Sequence, residues 1–379
     1  MIYLDHAATT PVHPEVLEAM LPYFTLQFGN PSSLHAYGRD ARIAVSRARD
    51  EIAGWLGCSP SEWLFTGSGT ESDNTALFGA ASRAGEKRHI VTTQVEHHAV
   101  LHACERLEQL GFEVTYLPVD ATGRVSVEEV QASLRPDTFL ISVMYANNEV
   151  GTVQPIVEIG ELARSRGVLF HVDAVQALGT LPIRLNELPV DLMSFSAHKI
   201  YGPKGVGGLY AHKAVHIAPH LYGGSQERKR RAGTENVPGI VGFAKAMRLA
   251  GESRDIRVRL LEELREELIA GLNAEVGSEH YRLNGHPTER LPQILNVSFP
   301  GASTDTMLMN LDLNGIAAAS GSACTSGSLE VSHVLKAMQL PDEVTGSAIR
   351  FSMGTTNEPS HMREVSRRIG TILRRVRSR

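Results

Sequence analysis

Two stretches decide the fold: VLFHVDAVQALG (168–179) and DLMSFSAHKIYGPKG (191–205). Each begins as a short apolar run and ends where polar residues take over. The first ends at Asp173, with Gln176 close behind. The second ends at Ser196, with His198 and Lys199 ahead of a Gly/Pro-rich turn. Such runs read as strands, and HIVTTQ (89–94), EVTYLPV (113–119) and FLISVMY (139–145) read the same way. Helical stretches such as HAVLHACERLEQL lie between several of them. Strands alternating with helices predict an α/β fold, a mostly parallel sheet covered by helices. The pattern fills residues 14–255. IRVRLLEELREELIAGL (256–272) then puts Leu260, Leu261, Leu264, Leu268 and Leu272 on one helical face. It opens a smaller α+β domain that takes in residues 256–379, with QILNVSFPG and SAIRFSMG as strands. Residues 1–13, with Pro11 as a breaker, join it and pack back near the cleft between the domains.

Composition narrows the function classes. The 379 residues are 42% hydrophobic and 21% charged, the profile of a soluble enzyme. A net charge of −5 argues against a nucleic-acid or anionic-membrane partner. The basic run QERKRRAGTEN (226–236) lacks the interleaved aromatics of a nucleic-acid patch and reads as a solvated loop. Cys58, Cys104 and Cys324 are too scattered for a disulfide framework or a metal site. No apolar run approaches about 18 residues, and the opening MIYLDHAATT is not a signal peptide. A cytoplasmic, reducing setting is expected.

Polar residues at strand ends are where α/β folds place their chemistry. Lys199 reads either as a solvated surface lysine or as a Schiff-base former activated by partial desolvation. Asp173 reads as a helix cap or as the carboxylate that holds a pyridinium nitrogen protonated, with Gln176 near the phenolic oxygen of the same ring. LFTGSGTESDNTAL (64–77) runs from a strand through Gly67-Ser68-Gly69-Thr70 into a helix, a phosphate cradle without the lysine of a nucleotide-binding P-loop. In TQVEHHAVL (93–101) one of His97 and His98 could stack on such a ring and move protons. In MYANNEVGTVQP (144–155) an amide of Asn147 or Asn148 could reach the ring oxygen.

LDHAATTPVHPEV, FGNPSSLH, TGSGTESDN, NNEVGTVQPI, HVDAVQ, SAHKIYGPKG, RRAGTENVPGIVG and SGSACTSGSLEVSHVL together resemble the cysteine desulfurases, in the branch of the nitrogen-fixation and iron–sulfur-cluster enzymes. The resemblance runs from residue 3 to about residue 353. It implies a fold-type I, class V aminotransferase-like homodimer dependent on pyridoxal 5'-phosphate (PLP), its large domain built on a seven-stranded sheet. By motif position it implies Lys199 as the Schiff-base lysine, Asp173 at the ring nitrogen, Gln176 and Asn148 at the ring oxygen, and His97 stacked on the ring. Gly69, Thr70, Ser196 and His198 would bind the phosphate, and Thr234 would reach the phosphate held by the other subunit. Arg350 is the candidate for the substrate carboxylate, with Asn148 beside it.

The resemblance also gives Cys324 a role. SGSACTSGS (320–328) has no branched or aromatic residue to bury, and its small residues are cheap to move. The Cys324 thiolate would take sulfur from L-cysteine, leaving a persulfide and alanine, and a loop at about 320–332 would show that sulfur to an acceptor protein. Cys58 and Cys104, in apolar-periodic surroundings, read as core packing. Rival readings are a selenocysteine lyase, another class V enzyme and a non-catalytic scaffold. The ending ILRRVRSR, without a long further tail, favours the nitrogen-fixation-like type.

Overall fold

The structure is a computed structural model that describes residues 1–321 and 331–377; Cys324 lies outside the described residues. Seven strands form the central sheet: β1 Trp63–Thr66, β2 His89–Thr93, β3 Glu113–Leu117, β4 Thr138–Ser142, β5 Leu169–Asp173, β6 Leu192–Ser196 and β7 Gly207–Ala211. Their order is β1-β7-β6-β5-β4-β2-β3. The neighbours from β6 to β3 pair in parallel, and β7 runs antiparallel to both β6 and β1. The expected mostly parallel sheet is therefore present, with one reversed strand.

All these strands except β3 are almost wholly buried, as sheets covered on both faces must be. β3, at the sheet edge, carries exposed Glu113, a charge that discourages pairing with another chain. Strand β7, GGLYA, has no apolar run to announce it. Its glycine has a packing reason: a Cβ on Gly208 would lie 2.0 Å from Trp63 Cζ2. The Trp63 indole crosses that space to meet Phe195 and Phe243.

A second apolar core lies apart from the sheet. Leu261, Leu264, Leu268 and Leu272 of helix Arg254–Glu275 pack with Met362, Val365 and Ile369 of helix Pro359–Arg377. Both cover a three-stranded antiparallel sheet of Ala348–Ser352, Ile294–Ser298 and Arg282–Asn284. The N-terminal segment joins here: Ile2–Tyr3 pairs in parallel with Ile316–Ala317, and the Ala7 N–H donates to Ser352 Oγ at 2.9 Å. No helix among the described residues is long and apolar enough to cross a membrane.

Candidate active site

Five strands deliver their carboxyl ends to one cavity of about 330 Å³. β1 leads to Ser68, Gly69 and Thr70; β2 to His97; β4 to Met144, Ala146 and Asn148; β5 to Asp173 and Gln176; β6 to Ser196, His198 and Lys199. Arg350, from the second sheet, and Ala7 and Ala8, from the N-terminal segment, complete the wall.

The β1 turn leads into the N-terminus of a helix that borders the cavity. Ser68 caps helix Gly69–Ala81 by accepting from the Glu71 N–H at 3.0 Å. The opening N–H groups of the helix have no partner within it. A Cβ on Gly69 would lie 2.7 Å from Val175 Cγ2, so a larger residue would have to push that methyl aside. Beside Gly69 the Ser196 hydroxyl is buried with no hydrogen-bond partner. His198 Nδ1 lies 3.1 Å from Thr9 Oγ1. Burial, helped by the charges of Lys199 and Lys204, pushes the His198 ring down to about 4.

Lys199 closes a short 3₁₀ turn after β6. Its Nζ donates to the carbonyls of Ala7 at 2.6 Å and Ala8 at 2.8 Å. Asp173 Oδ1 accepts from the Val175 N–H at 2.9 Å. Burial raises the Asp173 carboxyl to about 6, against the opposing pull of that N–H and of the Lys199 charge. His97 caps helix His98–Gln109, its Nδ1 accepting from the Ala99 N–H at 3.1 Å. Burial first, then the Lys199 charge, lower His97 to about 4, so the ring is neutral at neutral pH. Arg350 donates from Nη2 to Asp5 Oδ1 at 2.8 Å and from Nη1 to the Asn148 carbonyl at 3.0 Å, while its Nε is buried and unpartnered.

The structure separates pairs of residues left open by the sequence. His97 lines the cavity, whereas the His98 ring sits outside it against His102 and His333, with centroids 5.0 and 4.7 Å away. Asn148 lines the cavity. Asn147 is spent on its own turn, accepting from the N–H groups of Glu149 at 2.8 Å and Val150 at 2.9 Å. Gln176 reaches the wall and donates to the Ala7 carbonyl at 3.0 Å. Thr234 is exposed and lies outside the cavity of its own chain.

The run 226–236 corrects the expectation of a solvated loop. Glu227 is buried, accepts from both Nη atoms of Arg49 at 2.5 and 2.9 Å, and takes the Phe65 N–H at 3.0 Å. Arg231 pairs with Glu71 at 2.8 Å. Glu227, Arg228 and Lys229 all have positive φ (44°, 59° and 65°), a left-handed turn held by those bonds.

Sequence reasoning missed Asp73, Asp5 and the Ala7 and Ala8 carbonyls. Asp73 is four residues after Gly69 on one helix and so on the same face, the signal that could have found it. Asp5 and the carbonyls left no local pattern, since their roles depend on pairing with residues far along the chain.

A lysine amine, a buried carboxyl and a neutral imidazole thus line one cavity. The aminotransferase class-V family model covers residues 2–365. The chain belongs to the class V aminotransferase family. Among class V relatives, cysteine desulfurase IscS of Methanosarcina thermophila is 50% identical over 100% of this chain and 93% of its own. Cysteine desulfurase IscS of Dictyoglomus turgidum (strain DSM 6724 / Z-1310) is 49% identical over 94% of this chain and 91% of its own. A solved NifS-like protein superposes with a TM-score of 0.92 at 40% identity, covering 98% of this chain and 99% of the other. A structure of SspA in complex with cysteine gives 0.82 at 36% identity, over 93% and 99%.

Proposed function

We propose that this class V enzyme is a cysteine desulfurase, converting L-cysteine to L-alanine and a persulfide on Cys324. One observation carries the reading: Lys199, Asp173, His97 and Arg350 all line one cavity.

The residues present fit PLP. The orphaned Ser196 hydroxyl and the Gly69 turn offer a phosphate the donors it needs. Asp173 offers a ring nitrogen a buried carboxylate, and Lys199 offers an aldehyde its amine. Thr70 and His198 would share the phosphate, Gln176 and Asn148 the ring oxygen, and His97 the ring face. When bound, PLP supplies an electron sink for the substrate's α-carbon.

The protein's own groups do the rest. Arg350, held from behind by Asp5, presents its unpartnered Nε to the substrate carboxylate. Lys199 Nζ takes the α-proton, its position set by the Ala7 and Ala8 carbonyls. His97 enters as a neutral base able to accept or return a proton at the ring face. The Cys324 thiolate attacks the substrate sulfur: an S–S bond forms, the Cβ–S bond breaks and its electron pair takes a proton at Cβ, and Lys199 returns a proton to the α-carbon so that alanine leaves. Neither Cys58, whose thiol burial pushes up to about 12, nor buried Cys104 offers a thiolate. The persulfide then passes to an acceptor, with iron–sulfur-cluster assembly the route its relatives' names suggest. The working form is a cytoplasmic homodimer in which Thr234 serves the partner's phosphate.

The test is release of sulfide and alanine from L-cysteine with a reducing thiol present, in wild type and Cys324→Ala. Equal release by wild type, lost in a variant that keeps its visible cofactor absorbance, supports the reading. Full activity in the variant favours a lyase that expels the chalcogen directly, such as a selenocysteine lyase.

A further inference from the structure

Behind Asp173 lies a buried polar row, set back from the groups that meet the substrate. Ser142 Oγ on β4 is 2.8 Å from His171 Nδ1 on β5, and His171 Nε2 is 2.9 Å from Ser194 Oγ on β6. All three residues are fully buried. His171 and Asp173, two apart on β5, share a face of the sheet. The row ends beside Asp73 of helix Gly69–Ala81. Asp73 is 1% exposed and lines the cavity, and its Oδ1 has no hydrogen-bond partner.

Two carboxyls thus share one dry wall, and both cannot carry charge there. Their surroundings differ. Asp173 has the Val175 N–H and the charge of Lys199. Asp73 faces Asp173 and Glu96, both acidic, and only the Ser194 hydroxyl favours its charged form. His171 gives it no cation. The two lie 3.6 Å apart, but burial drives the His171 ring down to about 3, so the contact is not an ion pair. Burial and the Asp173 charge push Asp73 far upward.

We propose that Asp73 is a positioning residue: a neutral acid that holds the proton of the pair, leaving Asp173 as the one carboxylate charge facing a bound pyridine ring. It rests on the reading that the cavity takes PLP. The acid lies against His171, which Ser142 and Ser194 hold across three strands of the sheet, so the row fixes where that charge sits.

The test uses the PLP-loaded protein, with Asp73→Asn and Asp73→Leu. A difference infrared spectrum, wild type minus Asp73→Asn at pH 8, is expected to show the carbonyl stretch of a neutral carboxylic acid. Asp73→Leu removes the polar group from the wall while Ser194 keeps its bond to His171, and is expected to weaken PLP affinity about tenfold and alter the pH profile of the bound cofactor's absorbance. Asp73→Asn, polar and uncharged, is expected to restore both to near wild type. Absence of the neutral-acid band, or an Asn variant as impaired as Leu, overturns the proposal. If the wild type takes up no PLP, the reading of the cavity fails instead, while the infrared spectrum still decides where the proton sits.

Discussion

At the scale of single residues, the site is made of groups held away from their solution behaviour. Asp173 is the clearest case, since burial lifts its carboxyl from 3.8 to about 6. Unfolding releases it to ionise at the lower value. Over that window the native state binds the extra proton, so stability falls as pH rises from about 4 to about 6 and this group adds no further loss above it. Asp173→Asn in the cofactor-free protein is therefore expected to be more stable than wild type at pH 8, on the order of 1–3 kcal/mol by urea unfolding, while binding PLP poorly. An unchanged midpoint would mean that the charge is not desolvated. Lys199 makes the opposite case, its amine held by two carbonyls. Lys199→Ala is expected to cut alanine release by about 10²–10⁴-fold with the fold intact, measured by single-turnover kinetics beside circular dichroism.

Among elements, legibility follows local pattern. The apolar strands ending at Asp173 and Ser196 are readable because continuous burial and a polar terminus leave their trace in adjacent residues. Strand β7 is not, because GGLYA acquires its meaning only against the Trp63 indole on β1. Gly208→Ala is expected to destabilise by about 1–3 kcal/mol through overpacking, read as a lowered urea midpoint; a silent substitution would show that the indole can move. The 226–236 segment misleads for a related reason. Its basic residues look solvated in sequence, but Glu227 turns inward to meet Arg49. Glu227→Ala leaves Arg49, which is largely buried, without its counter-charge and is expected to cost about 3 kcal/mol. Glu227→Gln, which keeps part of the hydrogen bonding, should cost less.

Taken whole, the molecule brings the strand ends of one sheet against a second core, and the wall it builds draws on residues 5–8 and 350 as much as on the middle of the chain. The site residues at the ends of the central strands are legible in the sequence itself. Asp5 and the alanine carbonyls are not, because contacts across long stretches of chain leave no periodicity, whereas Asp73 is marked only by its helical spacing from Gly69. Thr234, exposed on its own chain, makes the dimer testable. A hybrid of one Lys199→Ala and one Thr234→Ala subunit pairs an intact lysine with an intact threonine only if Thr234 serves its partner. Half of wild-type activity is then expected in the purified hybrid, whereas activity no higher than that of Thr234→Ala would place the threonine in its own subunit's site. The seating of the N-terminal segment has a further consequence, for the order of events at the ribosome. Residues 2–8 are made long before their pairing partners at Ile316–Ala317 and Ser352. The segment whose carbonyls hold Lys199 thus gains its partners in the second core only once those residues are made. The N-terminal segment therefore completes its seat late in synthesis, after every strand of the central sheet has been made.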